Sequence, residues 1–384
     1  MSTKSVLQGF VTGLKHRQED VRFKTAVDLH HFVVTELREM PQEEVASFMD
    51  DFNHHIFEMV SSSDVHERKG GVLAIVSLLG GDVGNIGTRM SRFANYLMNL
   101  LPSNSYDLGV MEMAAKAVGI LALSSGTYAA EYVEFEVRRA LEWLVSDRIE
   151  GRRQAAVLVL KELAVNTPTF FYQQVQQFFD SIFFAVRDPK PSIREGAVAA
   201  LRAALAVTSQ RETKASQRQV YKQCFDESLQ PFDETLGREK KMTRDDWIHG
   251  SLLIINELLR CSNNEAERLR MEIEEITSEQ ANYDKTSKDV TSRSRGNGGV
   301  SALQQIQQKS SPLYAFFPGA KDSPQKIPVP LIESKTCKDL MNGNFDRICN
   351  LMLAHRTSRS PYVQQTLLIC LPRLAAFNPP VFSR

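Results

Sequence analysis

The sequence predicts an all-α fold, an α-solenoid of HEAT/armadillo-type antiparallel helix pairs, on three observations. A short phrase recurs at a near-constant spacing, the segments between its copies carry helical periodicity, and apolar and polar residues nowhere alternate long enough to read as a strand.

The phrase is an acidic turn, an Arg a few residues later, a pair of small residues and then an aliphatic helix face. Its clearest copy runs from Asp188 to Leu201, with Pro189, Pro191, Arg194 and the pair Gly196-Ala197. Others run from Asp147 to Leu160, with Arg153 and Ala155-Ala156, and from Asp64 to Ile75, with Arg68 and Gly70-Gly71. Weaker copies span Asp107 to Gly119 and Asp20 to Leu29. The pairs Gly70-Gly71, Ala114-Ala115, Ala155-Ala156 and Gly196-Ala197 stand 44, 41 and 41 residues apart. That spacing falls within the roughly 40 to 47 residues of a HEAT-type unit. A later copy, Gly250-Ser251, follows after 54 residues, so its unit carries an insertion.

Between the phrases lie apolar stripes spaced for one face of a helix. They are Phe48, Phe52, Ile56 and Met59; then Phe93, Leu97, Leu100 and Leu101; then Val133, Val137, Ala140, Leu141 and Leu144; then Val175, Phe178, Phe179, Ile182 and Val186. The run Val72 to Leu79 is apolar throughout and reads as a core helix. Each unit is therefore helix, acidic turn, helix.

The phrase has its own physical logic. An Asp such as Asp188 can accept from orphan amides of the next helix, and Pro189 and Pro191 stop the previous one. Small pairs such as Gly196-Ala197 let neighbouring helices approach. Arg194, one turn into its helix, can reach an Asp in an adjacent turn. Repeated along a stack, Asp64, Arg68, Asp147, Arg153, Asp188 and Arg194 would form an internal charged ladder with a structural role.

Composition agrees with an ordinary globular chain: 384 residues, 42% hydrophobic and 24% charged. The 46 Lys and Arg balance 46 Asp and Glu, so no overall field favours nucleic acid or an anionic membrane. Five cysteines, never spaced as Cys-x-x-Cys, fit neither a disulfide framework nor a zinc site and point to a reducing, cytosolic setting. No leader-like segment opens the chain, and no run reaches the roughly 18 apolar residues of a membrane span, so no membrane insertion is expected.

The expected organisation is a solenoid over 1-280 of about six helix pairs, a disordered insertion over 281-332 and further, truncated HEAT-type helices over 333-384. The insertion is rich in Ser, Gln, Gly and Pro, and its Tyr314, Phe316 and Phe317 are either a short docking motif or, the favoured reading, stray aromatics. Periodicity resumes with Phe345, Ile348 and Met352, then Val363, Leu367, Leu371 and Leu374. The passage Phe377 to Phe382 looks like a crossing between helices, so the chain reads as a piece of something longer.

Chemistry is sought and set aside. Gly80 to Gly87 lacks both G-x-G-x-x-G and G-x-x-x-x-G-K-[ST] and follows a helical run, so it is an inter-helix loop and no cradle for phosphate. His30-His31 and His54-His55 are adjacent pairs pointing about 100° apart on a helix, without His-Glu-x-x-His spacing. Neither an His-Arg-Asp-type loop nor an Asp-Phe-Gly triplet occurs. Basic clusters such as Arg238-Glu239-Lys240-Lys241 are small and mixed with acids. The six Glu against two Arg from Glu265 to Glu279 are a candidate acidic contact surface, with a solvated helix face the favoured reading. No catalytic residue, cofactor, metal or small-molecule substrate is expected. The expected activity is protein binding, with the exposed pair Asp50 and Asp51, beside the Phe48-Phe52-Ile56 stripe, as a candidate contact.

Particular strings carry a family resemblance. Leu37 to Met40, Asn53 to Glu58, Glu67 to Gly71, Arg92 to Leu97, Leu100 to Asn104, Ala130 to Val137, Pro168 to Phe171, Ile193 to Arg202 and Leu371 to Phe377 resemble the N-terminal HEAT region of the TOR, or target-of-rapamycin, kinases. The resemblance runs from about Ser5 to Glu279 and returns around Cys337 to Phe377. It implies a non-catalytic scaffold segment of a phosphatidylinositol-3-kinase-related Ser/Thr kinase, whose kinase domain lies elsewhere. It implies TOR complexes 1 and 2, control of growth by nutrients, and Raptor or Rictor, the GTPase Rheb and a second TOR chain as partners. It also implies a cytoplasmic location, recruitment to the lysosomal surface and a nuclear pool. A phosphatase scaffold or a transport carrier shares the architecture but not these strings.

Overall fold

The computed structural model describes residues 3–79, 86–101, 107–146, 148–232, 244–262 and 334–382, and every regular element among them is a helix. The chain divides into two compact units, with the division between Val207 and Thr208. The inferred insertion 281-332, the acidic run Glu265 to Glu279, the basic cluster at 238–241, the Gly80 to Asn85 loop and Asp147 lie outside the described residues.

In the first unit the helices come in consecutive pairs: α1 (Thr3–Leu14) with α2 (Glu19–Thr35), α3 (Gln42–Ser61) with α4 (Val65–Leu79), and α5 (Ile86–Leu100) with α6 (Leu108–Leu123). They continue with α7 (Ala129–Ser146) and α8 (Glu150–Asn166), then the short α9 (Pro168–Tyr172) and α10 (Val175–Val186) before α11 (Pro191–Arg211). The second members pack on one another, α2 on α4, α4 on α6 and α6 on α8. The first members form a second layer, with α1 on α3, α3 on α5 and α7 on α10. This is the layered packing of HEAT repeats.

Layer position explains the two sequence patterns. Helix α4 is flanked by α2 and α6 and covered by α3, so every residue from Gly70 to Leu79 is buried. Helix α6 is likewise buried at most positions from Val110 to Ala122. A helix enclosed on several sides needs apolar residues all round, whereas a first-layer helix needs one stripe. In α3 that stripe is Phe48, Phe52, Ile56 and Met59, each no more than 2% exposed. Aromatic rings tie the first pairs together: Phe10 to Phe32 at 5.5 Å, Phe32 to Phe48 at 5.4 Å and Phe48 to Phe52 at 5.7 Å between centroids.

Small residues sit where the helices come closest. A Cβ built on Gly70 would fall 2.1 Å from the carbonyl oxygen of Leu14, and one on Gly71 2.7 Å from Val60 Cγ1. On Gly196 it would fall 2.6 Å from Val157 Cγ2.

The second unit holds α12 (Lys214–Leu229), α13 (Arg244–Ser262), α14 (Lys335–Gly343), α15 (Phe345–Ala354), α16 (Pro361–Phe377) and the short α17 (Pro379–Phe382). Helix α13 packs on α12, α14 and α16. Ser334 N donates to Cys261 O at 2.9 Å, which joins the start of α14 to the end of α13. Arg373 Nη1 donates to Asn256 Oδ1 at 2.9 Å, and the Glu257–Arg260 pair is buried within α13.

Candidate functional site

The recurring Arg has one geometry in three turns. Arg22 Nη1 donates to the carbonyls of His16 and Arg17 at 2.8 and 2.7 Å. Arg194 Nη1 donates to those of Asp188 and Pro189 at 2.7 and 3.0 Å, and Arg153 Nη1 to that of Arg148 at 3.0 Å. Each side chain thus folds back onto carbonyls five or six residues earlier and satisfies acceptors that the turn leaves open. One rung crosses between units of the repeat: Arg153 Nε lies 2.6 Å from Asp188 Oδ2. Asp188, 2% exposed, also accepts from Lys190 N at 2.9 Å. Asp64 Oδ1 accepts from His66 N at 2.6 Å, while Arg68 Nε is buried without a partner. Asp107 is a full N-cap, accepting from Val110 N at 2.9 Å.

With these charges bound into turns, the surface chemistry lies on the first-layer helices. Asp50 and Asp51 are both exposed on α3, and Asp50 stands 3.9 Å from Arg92 Nη1 on α5. Nearby, Phe57 is 46% exposed and rests 5.7 Å from the Tyr96 ring. His54 and His55 both face Glu58, at 3.2 and 3.1 Å, and His30 Nδ1 lies 2.9 Å from Ser77 O. The histidines are thus engaged with α3's own carboxylate and with a main-chain carbonyl.

Between α5 and α7 opens a groove of about 860 Å³, lined by Met90, Ala94, Asn95 and Met98 on one side. Tyr132, Phe135, Glu136 and Arg139 line the other, with Tyr128 and Glu131 beside them. Phe135 and Tyr128 are more than half exposed, whereas Glu136 is buried and paired with Arg139. Burial raises the Glu136 carboxyl to about 7 despite that partner. Arg139 also lies over the Phe135 and Trp143 rings, at 5.4 and 5.1 Å. The Tyr132 hydroxyl and Arg139 Nε are buried and have no hydrogen-bond partner. Burial also raises the Tyr132 hydroxyl well above its ordinary value. This groove is not foreseen from the sequence. Its signal there is Glu136, a carboxylate one turn after Val133 and one before Ala140, on a stripe that is otherwise apolar.

Stacked helix pairs whose recurring arginines fold back onto their own turns define a HEAT-type solenoid segment. Its relatives are serine/threonine-protein kinases many times longer than the matched stretch. The chain is 42% identical over its whole length to the serine/threonine-protein kinase mTor of Drosophila melanogaster, of which it spans 16%. It is 43% identical over 66% of its length to tor1 of Schizosaccharomyces pombe, of which that match spans 10%. It is 37% identical over 58% of its length to TOR of Arabidopsis thaliana, of which that match spans 9%. The chain belongs to the TOR serine/threonine protein kinases, as one segment of their length and not the kinase domain. No protein-family model matches it. Among solved structures it is similar to one of Kap95p with RanGDP, at 16% identity over 97% of this chain and 46% of that one, with a TM-score of 0.41. It is also similar to importin β, at 12% identity over 97% of this chain and 52% of that one, with a TM-score of 0.37.

Proposed function

We propose that this segment is the N-terminal scaffold of a TOR-type kinase, holding protein partners in TOR complexes 1 and 2 that adjust growth to nutrients. The observation that carries the reading is the match to TOR kinases along the whole chain, together with a fold whose recurring arginines serve turns and whose first-layer helices stay open. A solenoid recognises partners through rows of outward residues on successive helices and needs no catalytic pocket. By kinship the partners are Raptor or Rictor, the GTPase Rheb and a second TOR chain. The location is cytoplasmic, with recruitment to the lysosomal surface and a nuclear pool. The acids Asp50 and Asp51 are the proposed contact on α3.

The experiment is a pull-down of purified Raptor, Rictor and GTP-loaded Rheb by the 384-residue chain, in parallel with a Asp50→Lys, Asp51→Lys double variant. Retention of a partner by the native chain and its loss by the variant supports both the scaffold and the contact. Retention by both removes Asp50 and Asp51 from the interface. Retention of none of the three by the native chain overturns the scaffold reading. Incubation with ATP and a TOR substrate should give no phosphate transfer.

A further inference from the structure

The first-layer helices carry a row of aromatic side chains. Phe57 on α3, Tyr96 on α5 and Phe135 on α7 follow one another at intervals of 39 residues, close to the repeat spacing, and Phe184 on α10 continues the series. Phe57, Phe135 and Phe184 are exposed, and Tyr96 is half-buried. A single exposed apolar residue is ordinary, but one on each of four successive first-layer helices makes a continuous feature. The charges around it are unbalanced, although the chain as a whole is neutral. Helix α3 bears Glu43, Glu44, Asp50, Asp51 and Glu58, all exposed, and no Lys or Arg. Helix α7 adds exposed Glu131 and Glu142, and α10 adds exposed Asp180 with no basic residue. The bases nearby are partly answered: Arg92 stands 3.9 Å from Asp50, Arg138 pairs with Glu134, and Arg139 lies over the Phe135 and Trp143 rings. Even with Arg89 and Arg92 of α5 counted, acids outnumber bases on these four helices, whereas the second-layer helices α2, α4, α6 and α8 are close to balance. Exposed rings among unmatched carboxylates repel nucleic acid and anionic lipid and attract cations that bring apolar surface with them.

We propose that this face, from α3 to α10, docks a cationic amphipathic helix of a partner protein, its apolar side chains against the aromatic row and its Lys and Arg toward the acids. Helices packed side by side lie about 8–10 Å apart, and two turns of helix advance about 10.5 Å. A helix laid across the layer therefore brings an apolar residue to each successive first-layer helix. One such residue enters the α5–α7 groove and rests on its accessible wall, Ala94, Met98 and Phe135, where the flexible Met98 thioether adapts to shape. This assignment rests on the scaffold reading and adds the chemistry of the partner.

The test uses the full 384-residue chain and three labelled, capped peptides of about 14 residues, four helical turns, read by fluorescence anisotropy at low ionic strength. The first is built of Leu and Lys with its Leu on one face; the second has Glu for Lys, and the third has Ser for Leu. Saturable binding is expected of the Leu/Lys peptide, with about tenfold weaker binding or less of the other two. Added salt should weaken it. The paired change Glu131→Lys, Glu142→Lys should weaken the Leu/Lys peptide by about three- to tenfold, and so should Phe135→Ser. The same change of charge on the second layer, Asp28→Lys with Glu112→Lys, should leave affinity within about twofold. All five side chains are exposed, so the melting temperatures should hold. No binding of the Leu/Lys peptide overturns the proposal, as does equal binding of the Glu or the Ser peptide. An unaltered affinity in the α7 variants, or an equal loss in the second-layer variant, overturns it as well. Sedimentation of the native chain with phosphatidylserine vesicles would overturn it in favour of a membrane surface. The α7 variants leave Asp50 and Asp51 in place, and none of these results decides whether Raptor, Rictor or Rheb is retained, so this proposal and the scaffold reading fail separately.

Discussion

Gly70→Ala is the sharpest test of how the repeats pack. The new methyl would sit 2.1 Å from the Leu14 carbonyl oxygen and 2.8 Å from its carbon. Ordinary carbon to oxygen contacts lie at roughly 3.3–3.6 Å, so α1 and α4 must separate by about 1 Å. The obstacle is main chain, which cannot rotate aside as a side chain would, and Leu14 is itself fully buried. Overpacking of this kind costs about 1–3 kcal/mol, and the upper half of that range applies here. Alanine returns about 1 kcal/mol through its greater helix propensity. The net loss is then about 1–2 kcal/mol, or about 2–8 °C in melting temperature for a unit of this size. Gly9→Ala on α1 is the control, because nothing lies within 4 Å of its Cβ position, and it should stabilise by about 0.5–1 kcal/mol. Far-UV circular dichroism melts of the two variants beside the native chain give the answer. If Gly70→Ala melts at or above the native temperature while Gly9→Ala rises, the close approach of α1 to α4 is refuted.

Arg194→Met should lower stability by about 2 kcal/mol, because it strands the carbonyl of buried Asp188 and removes a second charge-assisted bond to the more exposed Pro189; an unchanged urea midpoint would contradict this. Glu136 keeps its proton up to about 7 in the folded chain, against 4.5 as its ordinary value, so the folded form holds a proton the unfolded form has lost. Its contribution is fullest below about 4.5 and is lost as pH rises through about 7, by up to about 3 kcal/mol. Glu136→Gln should therefore flatten the fall in urea midpoint between about pH 5 and 8 relative to the native chain; parallel profiles would sink the assignment. Asp107→Ala removes the N-cap of α6 and should cost about 1 kcal/mol, seen as faster amide exchange at Val110 and Met111 without change in α8.

The sequence alone determined the architecture, because repeat period and helical periodicity are local patterns that only one kind of stacking satisfies. The stripe of α3 and the all-apolar Val72 to Leu79 each declare how many neighbours their helix has. The small pairs likewise announce close helix approach, which Gly70 and Gly196 realise. Tertiary structure alone decided where the recurring arginines point. Arg194 bonds to Asp188 O and Pro189 O in its own turn, and Arg153 makes the rung from one unit to Asp188 of the next. A side chain of that length can reach either, and only the spacing between successive turns selects. The α5–α7 groove was also beyond the sequence, because its walls come from helices separated by a whole α6 and its unpaired Tyr132 and Arg139 atoms are defined by what fails to touch them. Periodicity records which face of a helix is inward; the gaps left between faces exist only once the helices are laid side by side.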